Sequence, residues 1–275
     1  MAENPVVTSV KKINTCINMN LNNNNINLQE LINGNIEELS DGALTSIGDN
    51  AFRECTKLTS INLPACTNIG ESSFCGCTKL TSINLPVCTS IGDYAFSGCT
   101  ALNSINLPVC TSIGTYAFYS CKSLTSIDLP VCTSIGPYTF YRCTALTSIN
   151  LPVCTSIDYG VFSSCTALTS INLPVCTSIE YGVFSSCTAL TSINLPACTS
   201  IHSYAFNSCK SLTSIKLANT SKICTLSNSD AFKVTPIANK AGYIYVPDEL
   251  VEQYKKATNW SVYASQIKPL SEYTE

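Results

Sequence analysis

Eighteen cysteines in 275 residues are the first candidates for chemistry, as metal ligands, disulfide partners or nucleophiles. Their spacing argues against all three. Cys55, Cys77, Cys99, Cys121, Cys143, Cys165, Cys187 and Cys209 stand 22 residues apart, and Cys66, Cys88, Cys110, Cys132, Cys154, Cys176 and Cys198 form a second series with the same step. Zinc sites gather their ligands at short, characteristic intervals, and disulfide frameworks rest on irregular spacings in short chains. Columns of equivalent positions beside Ile, Leu and Phe columns instead describe a small buried hydrophobe with a weak S–H donor. We read two ladders of buried thiols, with disulfides among some of them, and then a metal site, as the alternatives.

The remaining candidates are sparse. The single histidine, His202, offers no cluster for zinc and no conventional Ser-His-Asp arrangement. It reads as a surface turn residue. Asp93, Asp158 and Glu180 read as being in register with Asn, Thr or Ser elsewhere, and nothing in the spacing pairs two carboxylates across a cleft. No phosphate loop, dinucleotide fingerprint or calcium loop occurs. The expectation is therefore no enzyme, no cofactor and no metal.

Charge narrows the partners. Only 12% of residues are charged and the formal net charge is -3. Residues 43–217 carry seven acidic and seven basic side chains, so no basic stripe is available for nucleic acid. No apolar run approaches the roughly 20 residues of a membrane helix. The opening MAENPVVTSVKK lacks the apolar segment of a signal peptide, which leaves an intracellular protein or a mature form whose leader is gone.

A constant period of 22 residues is the signature of a solenoid, in which each coil buries itself against the next. From Leu58 the coils read L-x-x-I-x-L-P-x-C-x-x-I. Ile61 and Leu63 have strand period and point inward, while Ser60 and Asn62 point outward, giving a short strand that pairs in parallel with the next coil. Pro64 and its equivalents close the strand. Cys66 follows at the corner, where its S–H can reach a carbonyl. Ile69 and its equivalents begin the return side, and Gly70, Gly92, Gly114 and Gly136 mark a positive φ or a close backbone approach. Phe74, Phe96, Phe118, Phe140, Phe162, Phe184 and Phe206 form an aromatic spine, three residues before a cysteine, so segments such as AFSGC read as short helical turns. Two coils, IDYGVF and IEYGVF, shift their glycine to Gly160 and Gly182, which predicts a different local turn.

The chain divides accordingly. Residues 1–43, Asn-rich, read as an irregular or partly helical N-terminal cap with a mobile leading segment, and 44–217 as the solenoid. Residues 218–242 read as a divergent coil. Residues 243–275 read as a strand and helical cap, with Pro247, Asp248 and Glu249 suited to a helix start.

Two surfaces could bind a partner. The outward strand face carries Ser126, Asp128, Ser148, Asn150 and Asn172, either as a self-satisfied polar ladder or as a docking face. On the other side stands a tyrosine series, Tyr94, Tyr116, Tyr138, Tyr159, Tyr181 and Tyr204, with Tyr119 and Tyr141. It reads either as binding anchors, with Tyr116 and Tyr138 central, or as half-buried packing.

The ladder Leu102, Ile105, Leu107, Cys110 and Ile113, followed by the IG-x-x-A-F-x-x-C segment to Cys121, resembles leucine-rich repeats of the BspA-like kind, and the likeness spans about residues 44–217. The segment VPDELVEQYKKATNW also looks like the end of such proteins from gut bacteria. The resemblance implies an α/β leucine-rich-repeat solenoid, with short parallel strands on one face, and short helical turns and irregular segments on the other. It also implies a non-enzymatic, secreted or surface-exposed adhesion protein with a protein or glycan partner, host-derived ones included. An intracellular scaffold is the alternative.

Overall fold

The computed structural model describes residues 36–274, and each coil within them has three sides. The first side is a three-residue strand, Ser60–Asn62 and its equivalents, paired in parallel and in strict register: Ser60 with Ser82, Ile61 with Ile83, Asn62 with Asn84. Ile61 is buried and Asn62 exposed, as the period of two requires. The second side is a two-residue strand, Ser90–Ile91 and its equivalents, also parallel, with Ser90 against Ser112 and Ile91 against Ile113. The sequence reading placed only one strand in each coil. Two residues are too few to show an alternation, so this second sheet left no pattern to find.

The third side is turns. Ser97 N–H donates to Tyr94 O at 3.0 Å and Cys99 N–H to Phe96 O at 3.1 Å, closing two overlapping turns within the coil. The N–H groups between them run along the stack: Tyr94 to Thr115 O, Phe96 to Ala117 O and Gly98 to Tyr119 O, each at 2.8 Å. Tyr94 (φ 55°) and Gly98 (φ 75°) take the left-handed conformation that aims alternate N–H groups at the next coil. Backbone polar groups on this side are thus satisfied half locally and half across coils, which a continuous helix could not do.

Inside, all nine phenylalanines form one stack from Phe52 to Phe232. Neighbouring ring centroids lie 5.1 Å apart at Phe52–Phe74 and 5.6 Å at Phe162–Phe184, with planes within 13° of parallel. In the position before each ring run buried Ala51, Ala95, Ala117, Ala205 and Ala231, with Ser73 in the same column. The Ser73 hydroxyl is buried with no hydrogen-bond partner, whereas Thr139, also in that column, donates to Gly136 O at 2.7 Å.

Gly70, Gly92, Gly114 and Gly136 mark a close approach rather than a positive φ. A Cβ on Gly92 would lie 2.8 Å from Glu71 N and Gly70 C in the preceding coil. One expectation is corrected here. Asp158 and Glu180 stand in this glycine position, as does His202, and not in register with Asn, Thr or Ser. Their Cβ atoms need room that glycine does not. The bond Gly136 N–H to Ile113 O is 2.8 Å and Glu180 N–H to Ile157 O is 3.3 Å, while His202 N–H to Ile179 O keeps 2.9 Å. At the same place the two-residue sheet divides, one piece ending at Ser134–Ile135 and the next beginning at Ser156–Ile157.

Glu38–Ser40 already pairs with Ser60–Asn62, and the Asp41 carboxylate accepts from Ala43 and Leu44 N–H to hold the following turn. The rest of the expected N-terminal cap lies outside the described residues. At the other end, Tyr243–Val246 pairs with Ser214–Lys216 and then with Ile267–Pro269, so it is not the last strand. Between them a 3₁₀ turn, Asp248–Leu250, leads into helix α1, Val251–Lys256, and a second 3₁₀ segment, Ser261–Gln266. This cap closes the spine: Phe232 meets Trp260 at 6.0 Å and Tyr263 edge-on at 5.4 Å. It also satisfies the last coil's backbone, through Cys224 N–H to the Tyr254 hydroxyl and Trp260 Nε1–H to Cys224 O, both 2.7 Å. No described helix is long and apolar enough to cross a membrane.

Candidate functional site

The cysteine ladders are positioned for packing. Cys66 donates to Asn68 O, Cys110 to Ser112 O and Cys154 to Ser156 O, so this series caps the corner carbonyls as its position predicts. The other series reaches back a full coil: Cys99 donates to Phe74 O at 3.2 Å and Cys143 to Phe118 O at 3.1 Å. Phe118 O also accepts Cys121 N–H, so the thiol serves a second lone pair that no aliphatic side chain could reach. Burial pushes the Cys143 and Cys209 thiols up to about 12. Thiols held this far from ionisation are poor nucleophiles and poor metal ligands. The described ladder cysteines from Cys66 to Cys209 stand as thiols, and no group of three or more His, Cys, Asp or Glu among the described residues could hold a metal ion.

One arrangement escaped the sequence reading. Glu180, His202 and Ser227 stand in a column, with His202 Nε2 3.5 Å from Glu180 Oε1 and Nδ1 3.5 Å from Ser227 Oγ. Both gaps exceed the 2.6–3.2 Å that proton transfer needs. Glu180 is already engaged by Ser178 Oγ at 2.5 Å. The column is a polar seam in coils that lack the glycine.

The predicted binding residues fall on two different sides. Ser126, Asp128, Ser148, Asn150 and Asn172 lie on the three-residue sheet. There Asn150 Nδ2 donates to Asp128 Oδ1 and Asn172 Nδ2 to Asn150 Oδ1, both at 2.9 Å. The amides bond to one another along the stack, so this face is largely self-satisfied.

Tyr116 and Tyr138 lie on the turn side, stacked at 5.0 Å, with Tyr94 next in the same column at 5.2 Å from Tyr116. Tyr119 and Tyr141 buttress them edge-on, Tyr119 at 5.7 Å from Tyr116 and Tyr141 at 5.9 Å from Tyr138. Burial first, then the Tyr138 and Tyr94 hydroxyls, push the Tyr116 phenol up. Tyr159 and Tyr181 do not belong to this column. They sit one residue earlier in the coil and are 50% and 49% exposed, while Gly160 and Gly182 occupy the column itself. Beyond Tyr138 the surface therefore opens into a cleft of about 480 Å³, with Tyr181 and Tyr204 opposite. Sequence reading registered the displaced glycines but took them as a change of turn, because a missing side chain leaves no residue type to notice.

Comparison with known proteins agrees with this architecture. The model of the BspA type leucine rich repeat region matches residues 7–87, 33–131 and 133–250. The chain belongs to this family. A leucine-rich repeat protein of T. pallidum has a crystal structure that is similar at 34% identity, with a TM-score of 0.50 over 54% of this chain and 72% of that one. A leucine-rich repeat protein from Eubacterium ventriosum ATCC 27560 is 20% identical over 73% of this chain and 83% of its own, with a TM-score of 0.47. A leucine rich cell surface protein from Faecalibacterium prausnitzii A2-165 is 21% identical over 84% and 86%, with a TM-score of 0.36. No curated protein matches the chain. The leucine-rich-repeat solenoid is a fold typical of protein-interaction and adhesion proteins.

Proposed function

We propose that this chain is the binding part of a secreted or cell-surface adhesion protein that presents one long side of the solenoid to a protein or glycan, host-derived ones included. The observation that supports this most is the tyrosine side. Tyr94, Tyr159 and Tyr181 are 39%, 50% and 49% exposed, and they flank half-buried Tyr116 and Tyr138 on a rigid, hydrogen-bonded turn ladder. Aromatic residues held by a stiff scaffold lose little side-chain entropy on binding and are the usual anchors of recognition. The amide ladder of Asp128, Asn150 and Asn172 plays the lesser part of a polar flank, since its donors already have partners.

A second reading, an intracellular interaction scaffold, draws on the ladder cysteines, which stand as thiols as expected in a reducing compartment. Burial protects those thiols in either setting, and finding the protein in the culture medium or on intact cells separates the two. The binding reading is tested by surface capture on immobilised extracellular-matrix proteins and glycans. The wild type is expected to bind at least one of them, and Tyr116→Ala with Tyr138→Ala to lose about tenfold or more in affinity. Asp128→Ala with Asn150→Ala is expected to change affinity by less than about threefold. Absence of any wild-type binding contradicts the proposal.

A further inference from the structure

The cleft is a pair of vacated positions in a ring column. Tyr94, Tyr116, Tyr138 and Tyr204 occupy the same point of the repeat with φ of 55°, 54°, 56° and 58°, and Gly160 and Gly182 occupy it with φ of 58° and 64°. Asn50 and Ser72 hold the same point with φ of 56° and 52°, so this backbone is common to the column whatever the residue, and in the two glycine coils it carries no side chain. Its neighbours have partly relaxed into the gap. Tyr138 leans over Gly160, where an added Cβ would lie 2.3 Å from its ring, while over Gly182 nothing stands within 4 Å. Tyr204 faces the gap from the far side, braced edge-on by Tyr181 at 5.5 Å.

The chemistry of the lining selects the occupant. The walls are faces and edges of tyrosine rings, and the remaining lining is Ser163, Ser185 and Asn207, with no charged side chain. An anion would lack a cation to meet it, and the polar rim, where Asn207 Nδ2 donates to Ser185 Oγ at 3.4 Å, suits a ligand that carries hydroxyls better than a wholly apolar one. A neutral pyranose fits both requirements. Its C–H face lies against an aromatic ring, and its equatorial hydroxyls meet hydroxyls and an amide at the edge. Rings in the column repeat at 5.0 Å and 5.2 Å, and with Tyr138 leaning over Gly160 the open position is the one over Gly182, of the thickness of a single flat ring.

We propose that the cleft over Gly182, lined by Tyr138, Tyr181 and Tyr204, is a subsite for a neutral pyranose unit of a glycan, which takes the place of the absent tyrosine ring. This rests on the reading of the chain as a binding module and gives that module its ligand class.

The test is titration calorimetry with neutral oligosaccharides built of glucose, galactose, mannose or N-acetylglucosamine. The decisive variant is Gly182→Tyr, which places the repeat's own residue at a compatible φ and in open space, so the fold tolerates it; its unfolding midpoint serves as the control. A second variant, Tyr204→Ala, removes a wall instead of filling the cleft. The wild type is expected to bind at least one sugar, and both variants to weaken it by about tenfold or more. No wild-type binding to any neutral oligosaccharide overturns the proposal, as does undiminished binding by Gly182→Tyr. If the sugars fail while an extracellular protein is still captured, the subsite falls and the adhesion reading stands; if both fail, both readings fall.

Discussion

The phenylalanine spine and the tyrosine column are built from similar rings at the same 22-residue interval, on adjacent parts of the same segment. One runs unbroken through nine coils, and the other holds a tyrosine in four, while in two more a glycine takes the position and the tyrosine stands one residue earlier. Burial explains the difference. A missing phenylalanine would leave an enclosed void, with both the transfer and the cavity terms to overcome. A missing tyrosine is replaced by solvent, or by a ligand. Repetition is thus strict where the fold depends on it and loose where a partner can exploit it.

The strongest way to stress the buried side is alkali. The Cys143 and Cys209 thiols are pushed from 9.0 in the open chain to about 12 by burial. Between those values the unfolded chain has released protons that the folded chain retains. Stability is therefore full below about pH 9 and falls as pH rises towards 12, by up to about 1.4 kcal/mol per pH unit for each such thiol. Denaturant midpoints measured across this window are expected to drop steeply, with several thiols acting together. Midpoints that stay level between about pH 9 and pH 11 would place the thiols in contact with water and break the contrast.

A smaller effect sharpens it. Ser73 puts an unpartnered hydroxyl in a column held by alanine in five other coils, Ala51, Ala95, Ala117, Ala205 and Ala231. Ser73→Ala is expected to raise stability by about 1 kcal/mol, read from the denaturant midpoint, since it removes an unpaired buried polar group. A loss of stability would mean that the core tolerates polar departures as readily as the surface does.

How much of this was legible followed from burial as well. Ile61, Leu63 and Phe74 declared their inward positions through period and type, and the Cys66 series declared its corner. The strand pair at Ser90–Ile91 was not legible, because two residues carry no alternation. The C-terminal strand Ile267–Pro269 was missed because the pattern around Trp260 reads as helical. Asp158 and Glu180 were placed by type and not by register, which hid the fact that they stand where glycine permits close approach. The cleft was hidden for the same reason: Tyr159 and Tyr181 stood in for the absent column members, and the vacancy at Gly160 and Gly182 became visible only once the coils were superposed in space.

Tyr138 and Phe140 lie two residues apart in one coil, the first in the open column and the second in the spine. Measuring the unfolding free energies of Tyr138→Ala and Phe140→Ala side by side tests the central claim most directly. Phe140→Ala is expected to cost about 3–5 kcal/mol, as an emptied buried aromatic site does, and Tyr138→Ala about 1 kcal/mol, the scale of a surface ring pair. Equal losses, or a larger loss at Tyr138, would contradict the account.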